Sequence, residues 1–166
     1  MAEAAPARGA VAVVVVPPGD PRHVALVRAA EAELLRRYGD GSLEPPEGAA
    51  TPEPADVVHL LAVGHDAEPL GCAVVAPLLA AGPGVGELKR LFVPASARRR
   101  GVATALLAAA QEAARARGLR GLRLVTGTLQ PEAIALYERE GWQPATAYAW
   151  ADDPMTRTFG KDLDGG

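Results

Sequence analysis

The stretch Leu88-Lys89-Arg90-Leu91-Phe92-Val93-Pro94-Ala95-Ser96-Ala97-Arg98-Arg99-Arg100-Gly101-Val102-Ala103-Thr104 decides how this chain is read. Glu87–Val93 reads as a strand ended by Pro94. Arg99–Arg117 reads as a helix: Val102, Leu106, Ala109 and Ala113 repeat on one face, and Gly118 stops it. A strand therefore passes through a tight loop directly onto a helix start. The first amides of a helix have no internal acceptor, and its dipole places partial positive charge there. Such a turn is an anion site. Gly101 permits close backbone approach, Ala103 keeps the next turn uncrowded, and Arg98, Arg99 and Arg100 supply charge that suits a pyrophosphate. A solvated arginine cluster beside a packing glycine is the competing reading, and the strand-loop-helix context outweighs it. The chain has neither the three-glycine dinucleotide fingerprint nor a Gly-Lys-Ser/Thr loop.

Outward from this turn the pattern alternates between strands and helices. Val11–Val16 is a buried strand that stops at Pro17-Pro18-Gly19. Asp20 caps a helix with Pro21 at its first position, running to about Tyr38 and stopped by Gly39. Asp40–Pro54 is an acidic, proline-rich loop, long enough to serve as a lid. Val57–Val63 and Leu70–Leu79 form a hairpin around His65-Asp66-Ala67-Glu68, and Ala80–Gly86 turns into the Glu87–Val93 strand. After the long helix come the strand Leu122–Thr126, the helix Pro131–Glu140, and two strands, Trp142–Trp150 and Met155–Lys161. Strands joined through a helix should be parallel neighbours, and hairpin strands antiparallel. The expectation is an α+β chain: a mixed, mostly antiparallel sheet of about seven strands with helices on both faces. Residues 1–9 read as a flexible leader and 10–166 as one domain.

The composition narrows the classes. A chain of 166 residues is the size of one domain, and 49% hydrophobic with 22% charged residues is a folding composition. A net charge of −3 gives no bulk attraction to nucleic acid or to an anionic membrane. The run Val11–Val16 is far too short to span a bilayer, which needs about 20 residues, and Arg8 alone is a weak signal-peptide charge. Cys72, the single cysteine, makes no internal disulfide or thiolate metal site and reads as a small buried hydrophobe in a reducing, cytoplasmic setting. His23, His59 and His65 lack metal spacing. Only Lys89 and Lys161 of the 17 basic residues are lysine.

The chain resembles the GNAT (Gcn5-related) N-acetyltransferase superfamily at two motifs. Arg98-Arg99-Arg100-Gly101-Val102-Ala103 fits the hallmark Gln/Arg-x-x-Gly-x-Gly/Ala, with Val93-Pro94 at the family's spacing before it. Gln130-Pro131-Glu132-Ala133-Ile134-Ala135-Leu136-Tyr137-Glu138-Arg139-Glu140-Gly141-Trp142 is similar to Asn-x-x-Ala-x-x-Leu-Tyr-x-x-x-Gly-Phe. The departures are Gln130 for the commoner Asn and Ala103 for the commoner second glycine. The resemblance covers Val57–Trp150 clearly and the whole chain in element order. It implies the GNAT fold, with parallel fourth and fifth strands splayed into a V that takes acetyl-CoA.

The same resemblance implies roles. The pyrophosphate would lie on Arg98, Arg99, Arg100, Gly101, Val102 and Ala103, with Thr104 just inside the helix. The pantetheine arm would pair with the backbone of Leu91 and Val93 as an added strand. An N–H near Phe92 would bond the thioester carbonyl, where fixed amides act best, and Gln130 would bond the pantetheine amide. Tyr137 falls where the family commonly places its general acid for the thiolate; a core tyrosine is the competing reading. Glu87 stands where histone-acetylating relatives carry their catalytic glutamate. Strand alternation puts Glu87, Lys89, Leu91 and Val93 on one face and makes Glu87 the best base candidate. A structural pair with Lys89 or Arg90 competes equally, and relatives often deprotonate through water chains.

For the acceptor, alternation sets Lys89 and Arg90 on opposite sides, and Arg90 is the choice to hold a carboxylate, with a structural ion pair the competing reading. Tyr148 and Trp150 would wall the pocket, with core packing the equal alternative. Asp152 and Asp153 would cap a turn or draw a cationic amine. The leading expectation is an acetyl-CoA-dependent N-acetyltransferase acting on the primary amine of a small molecule, amino-acid-like ones among them, by direct attack in a ternary complex. It carries no metal, binds neither nucleic acid nor membrane, and leaves a homodimer open by analogy. A non-catalytic acyl-CoA-binding or sensing module is the alternative from another class.

Overall fold

A computed structural model of the protein describes residues 8–39, 52–148 and 153–163. The elements run β1 (Ala12–Val16), α1 (Pro21–Tyr38), β2 (Val58–Val63), β3 (Pro69–Pro77), β4 (Val85–Phe92), α2 (Val102–Ala116), β5 (Gly121–Gly127), α3 (Pro131–Arg139), β6 (Gln143–Pro144) and β7 (Thr156–Asp162). The seven strands form one sheet in the order β1-β2-β3-β4-β5-β7-β6. Only β4 and β5 pair in parallel. Asp20 caps α1 as its sequence position requires, its carboxylate accepting from the amides of Arg22 at 2.9 Å and His23 at 3.4 Å.

Strand alternation sorts the core onto two faces. Leu60, Ala73, Leu88, Leu122, Leu124 and Phe159 pack under α2 and α3. Leu61, Val63 and Cys72 pack under α1 with Leu26. Helix α2 turns its apolar stripe, Val102, Leu106 and Ala110, onto the first of these faces. Gly71 makes that approach possible, because a Cβ there would lie 3.0 Å from both Leu106 and Val102.

Two departures from regular pairing position the site. The first is the short reach of β4 against β5. They pair only over Val85–Gly121, Gly86–Leu122 and Glu87–Arg123, and beyond Glu87 the strands part. The second is a bulge in β4. Cys72 pairs with Phe92 and Val74 with Lys89, so β4 carries one residue more than β3 between them. Arg90 takes a left-handed φ of 56° there, and its carbonyl accepts from the Cys72 thiol at 3.4 Å.

The bulge corrects the expected alternation. Glu87 and Lys89 lie on the α1 face, opposite Ala76 and Val74. Past Arg90 the phase flips. Leu91 and Val93 pack with the α2-side core, and Phe92 with the α1-side cluster. Glu87, Lys89, Leu91 and Val93 therefore do not share a face. Lys89 and Arg90 are not on opposite sides either, since the Arg90 guanidinium reaches Glu31 of α1 at 2.9 Å.

Other boundaries shift for local reasons. Helix α2 begins at Val102 rather than Arg99, because Arg99 and Gly101 adopt left-handed φ of 63° and 75° and form the turn itself. Of the described part of the strand expected over Trp142–Trp150, only Gln143–Pro144 is strand, lying outside β7. After Ala145, which still donates to the Thr158 carbonyl at 3.0 Å, the chain leaves the sheet so that Tyr148 can pack on Leu78, Val85 and Val125. The expected lid lies largely outside the described residues, as do most of the leader, Trp150 and Asp152. Among the described residues no helix is long and apolar enough to cross a membrane, and no three His, Cys, Asp or Glu groups gather as a metal site.

Candidate active site

The parting of β4 from β5 opens a cleft of about 670 Å³. Its walls are β4 from Glu87 to Phe92, β5 from Leu124 to Thr126, the α1 face around Leu34 and Tyr38, and the side chains of Gln130, Tyr137 and Tyr148. Seven of the fifteen expected site residues, Glu87, Arg90, Leu91, Phe92, Gln130, Tyr137 and Tyr148, thus line one cleft, although they come from elements far apart in sequence; those of the Arg98–Thr104 turn are not in its lining.

At the end of β4 the chain turns through Pro94 and a single 3-10 turn, Ala95–Ala97, into α2. No side chain caps α2. The first helical bond is Ala105 N–H to Gly101 O at 3.0 Å. Among the described residues, none of the amides from Arg99 through Thr104 has a hydrogen-bond acceptor. This is a run of donors at the positive end of a 15-residue helix. Nothing lies within 4 Å of a Cβ placed on Gly101, so the turn is open to a ligand.

The arginines are not all aimed at that turn. Arg98 donates from Nε to Val93 O at 3.1 Å and from Nη2 to Glu33 of α1 at 3.2 Å, tying α1 to the end of β4. Arg100 stands 3.8 Å from Glu68, an exposed pair worth little. Arg99 has no ionic partner among the described residues. The donors this turn offers come from its backbone more than from the arginine cluster. Thr104 donates to Glu140 at 3.2 Å.

Glu87 accepts a hydrogen bond of 2.5 Å from the Tyr148 hydroxyl. It makes no ion pair with Lys89 or Arg90, the pairing that competed with a functional role. Burial, with the Glu87 charge and hydrogen bond behind it, pushes the Tyr148 hydroxyl well above its ordinary pKa, so it stays a donor. Tyr137 is buried against Trp142 and Phe159, with ring centroids at 6.0 and 5.9 Å. Its hydroxyl makes no hydrogen bond with any described residue, and burial raises its pKa also. A phenol that lines the cleft without a protein partner is available to a ligand. Gln130 accepts from the Gly127 amide at 3.2 Å, and Tyr38 approaches the same oxygen at 3.5 Å. Its carbonyl shapes the loop after β5, and its amide nitrogen remains for other partners.

Sequence reasoning missed the contribution of α1. Glu31, Glu33, Leu34 and Tyr38 line the cleft. Arg37 clamps the helix to the loop before α3 through Leu129 O at 2.9 Å and Glu132 at 2.5 Å. Nothing local in the pattern of Glu31, Glu33 and Arg37 shows that a cleft lies beneath them. Two of the histidines that lack metal spacing do meet in the fold. The rings of His23 and His59 meet edge to face at 5.1 Å, with His23 Nε2 3.4 Å from Ala73 O.

A cleft opens between the parting strands, and the chain leaving β4 runs through one 3-10 turn to a helix start whose amides have no acceptor among the described residues. The model of the acetyltransferase (GNAT) family matches residues 25–142. The chain belongs to the GNAT acetyltransferase family. Its similarity extends to an IAA acetyltransferase from Azospirillum brasilense, 32% identical over 124 residues, which are 66% of this chain and 80% of that protein. Among solved structures it is similar to a Klebsiella pneumoniae protein described as an acyl-CoA N-acyltransferase. That likeness has a TM-score of 0.78 and 29% identity, covering 94% of this chain and 99% of that one. The PaiA N-acetyltransferase of Thermoplasma acidophilum, solved in complex with coenzyme A, shares the fold at a TM-score of 0.66 and 14% identity, over 92% of this chain and 99% of that one. As a GNAT acetyltransferase the protein is an enzyme with an acceptor substrate.

Proposed function

We propose that this enzyme moves the acetyl group of acetyl-CoA to the primary amine of a small molecule by direct attack with both substrates bound. The observation that carries the reading is the opening of β4 from β5 beside the unpaired amides of Arg99 to Thr104. Those amides fit a pyrophosphate, and the unpaired edge of β4 around Leu91 fits an extended amide-bearing arm. Acetyl-CoA supplies the acetyl thioester. Amides from Arg99 to Thr104 hold its phosphates, the β4 backbone near Phe92 bonds the thioester oxygen, and Gln130 bonds the arm.

The protein's own groups then handle protons. Glu87 is the cleft carboxylate without a cationic partner among the described residues, and it receives the proton of the attacking amine. Tyr148 keeps it oriented through the 2.5 Å bond. Tyr137 offers its proton to the departing sulfur, and its raised pKa keeps it protonated at working pH. The test is thiol release from acetyl-CoA against a panel of small amines, with acetyl-CoA binding followed by thermal shift. Turnover with at least one amine is the expected result. Binding without thiol release on any amine would make the protein an acyl-CoA sensor, and no binding at millimolar ligand would refute the site.

A further inference from the structure

The charges along the cleft cancel in pairs except at one place. Glu31 is taken by Arg90 at 2.9 Å. Glu33 is taken by Arg98 at 3.2 Å and Arg37 at 3.5 Å. Glu87 and Lys89 remain, two residues apart on the α1 face of β4. Their Cα atoms are therefore about 6.5 Å apart at the ordinary rise of a strand. No ion pair within 4.0 Å joins them to each other, and none joins Lys89 to any described residue. Both are half-buried, in a cleft whose lining also holds the apolar Leu34, Leu35 and Val125 beside the phenols of Tyr38, Tyr137 and Tyr148. An ammonium beside a carboxylate, neither with an ionic partner among the described residues and both half-buried, makes a dipolar site.

We propose that Lys89 selects the acceptor: an amino acid, whose carboxylate Lys89 holds while its amine lies toward Glu87. This rests on the acetyltransferase reading above. The guanidinium of Arg90, though nearby, already serves Glu31. Lys89 also precedes the Arg90 bulge and the end of β4 at Phe92, so it is not part of the turn proposed for phosphate. A zwitterion satisfies both unpaired charges at once, whereas a simple amine or a diamine leaves Lys89 without an anion.

The experiment compares α-amino acids with their own carboxamides, which keep the amine and side chain and lose the negative charge. Two readouts are taken: kcat/KM with acetyl-CoA, and calorimetric binding to the CoA-saturated protein. A hydrogen bond to a charged group implies a preference for the acid of about tenfold or more. In Lys89→Met that ratio collapses toward one, and Lys89→Arg restores much of it. Melting curves establish that each variant folds, and Lys89→Gln replaces Met if the latter does not. An acid-to-amide ratio near one in the parent protein overturns the proposal. So does an undiminished ratio in folded Lys89→Met, or a loss confined to CoA affinity, which would assign Lys89 to the cofactor. If no amine is acetylated, the transferase reading fails by itself, and the calorimetric ratio still decides the role of Lys89.

Discussion

Replacing Gly101 with valine separates the phosphate turn from the rest of the molecule. Gly101 sits at φ 75° and ψ 14°, and among the described residues no heavy atom beyond its chain neighbours lies within 4 Å of the position a Cβ would take. The substitution therefore meets no neighbour, and its cost is conformational. The left-handed region costs a Cβ-bearing residue about 1–2 kcal/mol, and a branched residue more. The turn has two responses. It can hold its shape and absorb the strain, or it can relax toward negative φ and swing the neighbouring amides away. Each amide lost from a phosphate is a hydrogen bond to a charged group, about 1.5–3 kcal/mol or roughly 10- to 150-fold in Kd. Valine favours the second response, and Gly101→Ala shows the same trend more weakly. The assay is calorimetric binding of CoA beside denaturant unfolding of both variants. Pantetheine, which has the arm without the phosphates, is the control. The expected result is CoA affinity down at least tenfold in the valine variant, pantetheine affinity little changed, and a folded protein. CoA binding within twofold of the parent protein, with about 1–2 kcal/mol lost from stability, would refute the reasoning: the strain would be present and the turn would not be holding phosphate.

Tyr137→Phe should lower kcat far more than CoA affinity, because the hydroxyl lies at the cleft without a protein partner while the ring packs on Trp142 and Phe159; equal losses in both would make it structural. Trp142→Ala should cost about 3–5 kcal/mol, since the side chain is 1% exposed within the core. Trp142→Phe should cost less than about 1.5 kcal/mol in denaturant unfolding, because the indole N–H it removes is buried without a partner. Burial pushes the Cys72 thiol from an ordinary value near 9 up to about 12. The thiol should resist alkylation at pH 8 until the protein unfolds. Its folded pKa is raised, so its contribution to stability is complete below pH 9 and is lost as pH rises from there toward 12, by about 1.4 kcal/mol per pH unit. Cys72→Ala should flatten that part of the stability–pH curve, and an identical slope would contradict the burial argument.

The sequence by itself determined the element order, the parallel pairing of β4 with β5, and the tight passage from β4 into α2. Each of these is written locally. Valine-rich alternation marks the strands, Asp20 marks the start of α1 and Gly118 the end of α2, and a helix between two strands imposes a parallel crossover. Tyr137 and Gln130 were also legible, since fixed spacing from Gly141 and Trp142 carries them. Tertiary structure decided which way the β4 side chains face. A one-residue bulge at Arg90 inverts the alternation after Lys89, and it depends on pairing with β3 that no local pattern records. The partners of the charges were decided in the same way. Arg98 and Arg90 read as ligand groups, yet in the fold they meet Glu33 and Glu31 of a helix more than fifty residues earlier. Tyr148 read as part of a strand, and it leaves the sheet to bond Glu87. Charge compensation depends on distances of a few ångströms between remote segments. For that reason Lys89, inconspicuous in the sequence, stands out only once the chain is folded.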